Sequence, residues 1–266
     1  MTADPEAQTS GRTWNPDQYA RFRDERSQPF YDLLSLIQPI EGGRAIDLGC
    51  GTGELTRVVH ERTGAGATLG LDNSESMLEK SAAFAGNGVT FRLGTILRFA
   101  PRTPFALIFS NAALQWVPDH ERLIPRLVAG LAEGGQLAVQ IPANVDHPSH
   151  RIAHEVAGEE PFRTALDGYL RPDYVKPPEW YAEMLERLGF VEQHVRMQVY
   201  GHHLSSRDEV IQWVRGTLLT DYERRLEPAV YAAYLERYRE RLMPELADTQ
   251  PYFYAFKRIL FWGRRR

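Results

Sequence analysis

Seven residues, Asp47-Leu48-Gly49-Cys50-Gly51-Thr52-Gly53, constrain this chain more than any other stretch. A short apolar run from Arg44 to Leu48 ends in them, and an amphipathic stretch from Glu54 carries Leu55, Val58 and Val59 on one face. Strand, tight loop and helix in that order open a nucleotide-binding βαβ unit. Glycine is required because the backbone bends sharply and a ligand must approach without Cβ atoms in the way. The helix N-terminus then offers unpaired N–H groups to whatever is bound.

The spacing is G-x-G-x-G, with Glu54 where a dinucleotide fingerprint has its third glycine. Asp47 stands at the carboxyl end of the strand, where a carboxylate repels a pyrophosphate but suits a ligand carrying an ammonium and a sulfonium. S-adenosylmethionine carries both. The competing reading is that Asp47 only accepts hydrogen bonds from the loop at a helix start. A second strand, Ala67 to Leu71, closes on Asp72-Asn73. An acid there, about 20 residues past the glycine loop, is where a ribose diol is held in nucleotide-binding α/β folds. Asp72 could instead cap the next helix, although Ser74 and Ser76 can also do that.

At 266 residues the chain accommodates one α/β domain with sizeable insertions, and 43% hydrophobic residues is ample for a packed core. A net charge of −4 lacks the basic surplus of a nucleic-acid binder. The single cysteine, Cys50, rules out a disulfide framework and any all-cysteine zinc site, and points to a reducing, cytoplasmic setting. No apolar run approaches membrane-spanning length, and no signal pattern opens the chain. A soluble protein is expected.

Residues 1–12 are polar and aperiodic, which predicts a disordered tail. Trp14-Asn15-Pro16 begins an amphipathic helix that aligns Tyr19, Phe22 and Arg26, and Pro29 starts a second one ending before Pro39. Val89 to Leu93 reads as a third strand and Phe105 to Ser110 as a fourth, covered on both faces. A helix carrying Ile124, Leu127, Val128 and Leu131 is expected to stop at Gly134-Gly135, followed by a fifth strand, Gln136 to Ile141. This alternation predicts a Rossmann-like, doubly wound parallel sheet with its ligand at the carboxyl edge. Phe190 to Tyr200 and Tyr252 to Trp262 are two further strands, with Arg264-Arg265-Arg266 a solvated end. The core is thus expected to comprise 13–142, 177–204 and 249–266. Residues 143–176 and 205–248 break the repeat and read as insertions roofing the site. The apolar stripes of the latter, among them Tyr231, Tyr234 and Tyr238, read as core.

The chain resembles the class I S-adenosylmethionine-dependent methyltransferases through the Asp47–Gly53 loop and Asp72. It resembles the trans-aconitate methyltransferase branch more specifically. That likeness rests on Trp14-Asn15-Pro16 with Tyr19, Phe22 and Glu25-Arg26, on Asn111-Ala112-Ala113-Leu114-Gln115-Trp116-Val117-Pro118-Asp119-His120, and on Gln140-Ile141-Pro142-Ala143-Asn144. The resemblance implies a seven-stranded sheet whose last strand is antiparallel. It implies that Asp47, Gly49, Gly51 and Gly53 hold the methionine portion of the cofactor and Asp72 the ribose. It extends the cofactor set to Cys50, Asn73, Met77, Thr95, Ile96, Asn111 and Trp116. Thr95 and Ala106 depart from the pattern, standing where such enzymes often carry acids.

If the acceptor is a carboxylate, its pKa near ~4 leaves it ionised at pH 7, so no catalytic base is expected. A tricarboxylate such as trans-aconitate instead needs cationic anchors, for which arginine is the best donor. The candidates are Arg26, Arg171, Lys176, His147 and His203, with Tyr19, Phe22 and Trp116 as walls. Each charged one could equally be a solvated surface charge, and Trp116 could equally be core. His150 and His154 are four apart, but the H-E-x-x-H pattern of a zinc site is missing and no metal is expected. Three other readings stay open: a methyltransferase for another small acceptor, a nicotinamide-dependent oxidoreductase, and a non-catalytic nucleotide-binding protein.

Overall fold

The computed structural model describes residues 27–101 and 103–266, so Trp14, Asn15, Pro16, Tyr19, Phe22 and Arg26 lie outside the described residues. The strands are β1 (Arg44–Leu48), β2 (Ala67–Asp72), β3 (Val89–Leu93), β4 (Phe105–Asn111), β5 (Leu131–Pro142), β6 (Phe190–Leu204) and β7 (Tyr252–Arg265). They form one seven-stranded sheet in the order β3-β2-β1-β4-β5-β7-β6. Strands β1 to β5 are parallel, and β7 runs antiparallel to both β5 and β6. The predicted doubly wound sheet with a reversed last strand is therefore the one observed. From β1 the chain steps outward to β2 and β3, then returns to place β4 on the other side. That reversal puts the ligand crevice beyond the carboxyl ends of β1 and β4.

Alternation along the central strands sorts side chains to two faces. Ala45, Leu107 and Phe109 meet the helical residues 27–34 (α1) and α2 (Glu54–Thr63), with Phe30 edge-on to Phe109 at 5.7 Å. Ile46, Leu48 and Ile108 face α4 (His120–Val128) and α7 (Pro178–Arg187). Helix α3 (Glu75–Ser81) links β2 to β3. Asp47, two residues past Ala45 and so on the same face, points to α2, where Thr56 meets it.

Two expected boundaries move. Leu131 is not the end of the fourth helix; it begins β5, paired with Phe105, and the helix ends at Val128. The first glycine past that helix is Gly130, not Gly134-Gly135, and a Cβ on it would sit 2.3 Å from Pro101. Arg264 and Arg265 are not a solvated tail. β7 lies between two partners, so both residues stay in register with β6, and Arg264 pairs with Glu192.

Helices α5 (Pro148–Ala157), α6 (Phe162–Ala165), α8 (Glu209–Arg215), α9 (Thr220–Glu223) and α10 (Pro228–Leu242) build a second core with the far ends of β6 and β7. Its centre is tyrosine-rich. Tyr234 and Tyr238 are fully buried, and their hydroxyls donate to the carbonyls of Ala153 and Ser149, each at 2.8 Å. Those bonds remove the penalty of burying a phenol and pin α10 to α5.

Candidate active site

Gly49, Gly51 and Gly53 all have positive φ (+82°, +53° and +79°), which makes glycine the natural residue at each. The loop is tied down by Gly49 and Cys50, whose N–H groups donate to the Leu71 carbonyl at 2.8 and 3.1 Å. The three glycines have different neighbours. A Cβ on Gly49 would lie 2.2 Å from Ala113, and one on Gly53 2.5 Å from the Phe91 ring. A Cβ on Gly51 would meet no protein atom within 4 Å. The first and third glycines are needed for close packing, and the middle one faces open space. Helix α2 starts at Gly53 with no side-chain cap on its N-terminal N–H groups.

Asp72 accepts from the N–H of Gly51 at 2.8 Å and of Ser74 at 2.9 Å. It joins the glycine loop to the tip of β2 and keeps further acceptor capacity on both oxygens. Ser74, not Asp72, provides the side-chain cap of α3. Asp47 is only 3% exposed and accepts from the Thr56 hydroxyl at 2.6 Å. Burial pushes its pKa up to about 7, the charge of Asp72 adds to the rise, and Thr56 opposes it. Its partner is thus a helix side chain rather than a loop N–H. Cys50 is buried, and burial pushes its thiol well above the usual range, so it is a packing residue with little thiolate character.

A cleft of about 680 Å³ continues along the tips of β2 and β3, lined in part by Asn73, Ser74, Gly94 and Thr95. The Thr95 hydroxyl already accepts the Leu97 N–H at 3.3 Å, leaving its proton as the group to offer. Ile96 packs against the sheet core, and Met77 is exposed on α3, outside the cleft lining. Ala106 is at the amino-terminal half of β4, packed near Gly43, so it lies away from the ligand edge and its lack of charge has no bearing on the site.

A second cavity, about 610 Å³, lies between the carboxyl ends of β4 and β5, the amino-terminal half of β7 and the helical roof. Asn111, Ala112 and Trp116 form one wall, and Ala113 in the same segment is the neighbour of Gly49, so the two sites adjoin. Ala112 holds a left-handed φ of +54°, unusual for a residue with a Cβ. Two arginines are stacked on aromatic rings in this cavity: Arg171 on Trp116 at 4.5 Å and Arg258 on Phe256 at 4.9 Å. With its amide oriented so that both ends are satisfied, Gln140 bridges the floor, its nitrogen donating to Asn111 Oδ1 at 2.7 Å and its oxygen accepting from Arg258 at 3.2 Å. His150 and His154 project from α5. Burial first, then the neighbouring His147 and Arg171, pushes the His150 pKa down to about 3, so it is neutral at pH 7.

Of the residues expected to meet an acceptor, Arg171 and Trp116 line this cavity and three others do not. Lys176 turns outward to Glu121 at 2.8 Å. His147 caps α5, accepting the Ser149 N–H at 3.1 Å. His203 points outward because strand alternation sends His202 inward instead. Arg258 escaped the sequence reading because only the antiparallel register, which pairs it with Pro142, brings it to the site. The i, i+4 spacing of His150 and His154 was visible, but no metal pattern explained it. Among the described residues no group of three or more His, Cys, Asp or Glu side chains could hold a metal ion, and no helix is long and apolar enough to cross a membrane.

A glycine cradle at the β1 tip, an acid at the β2 tip and a roofed cavity beyond β4 define the layout of a class I S-adenosylmethionine-dependent methyltransferase. Residues 45–135 match the family model described as a methyltransferase domain. Trans-aconitate 2-methyltransferase of Deinococcus radiodurans is 43% identical over 259 residues, covering 95% of this chain and 98% of the relative. The Streptomyces avermitilis protein of the same name is 40% identical, covering 90% and 91%. The Bacillus subtilis YcgJ structure superposes with a TM-score of 0.56 at 18% identity, covering 91% of this chain and 99% of that one. A phosphoethanolamine N-methyltransferase 2 from Haemonchus contortus superposes with a TM-score of 0.52 at 18% identity, covering 90% of this chain and 52% of that one. The chain belongs to the S-adenosylmethionine-dependent methyltransferase family, in the branch that holds the first two relatives. S-adenosylmethionine is its cofactor, and the open cradle at Gly51 with the uncapped start of α2 fits that group.

Proposed function

We propose that this methyltransferase esterifies a carboxylate of a small polycarboxylic acid, trans-aconitate, without a general base. The observation that carries the reading is the pair of aromatic-stacked arginines, Arg171 and Arg258, in a roofed cavity beside the glycine loop. When bound, S-adenosylmethionine supplies a methyl group on a sulfonium. Asp47, Gly49, Gly51 and Gly53 hold its methionine end, and Asp72 its ribose. Each guanidinium offers a planar fork to a non-reacting carboxylate, and stacking restricts the fork's orientation. The roof excludes bulk water, which strengthens these charge contacts and favours charge annihilation in the transition state. Fixing the acceptor in line accounts for a barrier reduction that can reach roughly 7–11 kcal/mol.

The acceptor carboxylate has a pKa of about 4 and needs no deprotonation at pH 7. His150, held neutral with its pKa near 3, is a poor base, which speaks against a phenol acceptor. The test is an acceptor panel of tri-, di- and monocarboxylates, a phenol and an amine, each read by mass spectrometry for the gain of one CH₂. Trans-aconitate is expected to give a single monoester with the highest kcat/KM, and monocarboxylates to react poorly. No ester from trans-aconitate, alongside turnover of an amine or phenol, overturns the reading.

A further inference from the structure

We infer that His154 is a positioning residue for the acceptor, working through Arg171 and not by touching the substrate. The inference rests on the reading of Arg171 as a carboxylate anchor. Residues 169–177 have no helix or strand, so the segment itself cannot fix where Arg171 points. The roof does so at both ends of the residue. Its N–H donates to the Tyr222 hydroxyl at 3.4 Å on α9, and its carbonyl lies 2.5 Å from His154 Nε2 on α5. Nε2 must carry the proton, because a carbonyl can only accept. At the far end the guanidinium rests on Trp116, with Nε 3.7 Å from Asp221.

Tyr222 is fully buried in the roof core, whereas His154 is half-buried at the cavity wall. The bond from His154 is thus the short link between the packed roof and the loop. Removing it leaves the Arg171 backbone held by the longer Tyr222 contact alone. A guanidinium that wanders loses much of the advantage of a preorganised fork.

The experiment is calorimetric titration of trans-aconitate into protein saturated with S-adenosylhomocysteine, beside steady-state kinetics. His154→Phe is expected to weaken trans-aconitate binding and raise its KM by about fivefold, with the S-adenosylhomocysteine Kd unchanged. His154→Gln, which keeps a donor, should recover most of that loss. Tyr222→Phe, which removes only a hydroxyl, should show a smaller loss of the same kind. In an Arg171→Ala background His154→Phe should add nothing further. Additive losses in that background, or wild-type binding by His154→Phe, overturn the inference while leaving Arg171 as an anchor. Wild-type binding by Arg171→Ala overturns the anchor itself, and this inference with it.

Discussion

Gly51→Ala is expected to lose cofactor binding by a hundredfold or more while the protein stays folded. Gly51 has a φ of +53°, so an alanine there costs about 1–2 kcal/mol of backbone strain. No protein atom lies within 4 Å of the added methyl, so packing adds no further cost. For a domain of this size the change corresponds to a fall in Tm of about 2–8 °C. The methyl enters the space a ligand must use to reach the uncapped N–H groups at the start of α2. Losing two hydrogen bonds to a charged ligand group removes about 3 kcal/mol or more, which is the hundredfold. Gly49→Ala should behave differently. Its Cβ would fall 2.2 Å from Ala113 in the turn that follows β4, a clash that requires the backbone to shift, so stability and binding should fail together. Calorimetry with S-adenosylhomocysteine and a thermal melt on both variants separate the two roles. Tight binding by Gly51→Ala removes that glycine from the cofactor site.

Arg171→Ala is expected to raise the KM for trans-aconitate by roughly 30- to 100-fold, about 2–3 kcal/mol for truncating one side of a desolvated charge pair. The side chain is 17% exposed, so the pair it forms is little screened by solvent. Affinity for the cofactor should not change, because Arg171 contacts Trp116 and Asp221 rather than the glycine loop. Arg171→Lys should fall between the two, since an ammonium keeps the charge and loses the planar fork. Steady-state kinetics at saturating S-adenosylmethionine measure this directly. An equal loss in the KM for both substrates points instead to a damaged fold.

The cofactor half of the protein was legible because it is local. Asp47, the three glycines and Asp72 lie within one βαβ unit, and their spacing alone dictates strand, turn and helix. The acceptor half is not local. Arg258 reaches the cavity through the pairing of β5 with β7, about a hundred residues apart in sequence. Lys176 and Arg171 look alike in sequence, yet Glu121 draws one outward while Trp116 holds the other inward. His203 failed by a single step of strand alternation, which no composition signal records. The helix ending at Val128 was overrun because Leu131 continues its apolar period into the first residue of β5. Asp47 was correctly placed at the strand tip, but its partner Thr56 belongs to the first turn of α2 and becomes visible only once that helix is laid on the sheet.

The central claim is electrostatic: the carboxylate of Asp47 favours a cationic ligand at the glycine loop. Burial pushes the Asp47 pKa up to about 7, so below that pH the unliganded site is largely protonated and neutral. A ligand that requires the anion must expel the proton, and its affinity therefore rises with pH. The deciding measurement is the Kd of S-adenosylhomocysteine between pH 6 and pH 7.5, a window below the loss of the ligand's own ammonium at about 8. Wild-type affinity is expected to tighten severalfold across it. Asp47→Asn is expected to bind weakly at every pH, with no such slope. A flat wild-type profile together with undiminished binding by Asp47→Asn would contradict the account.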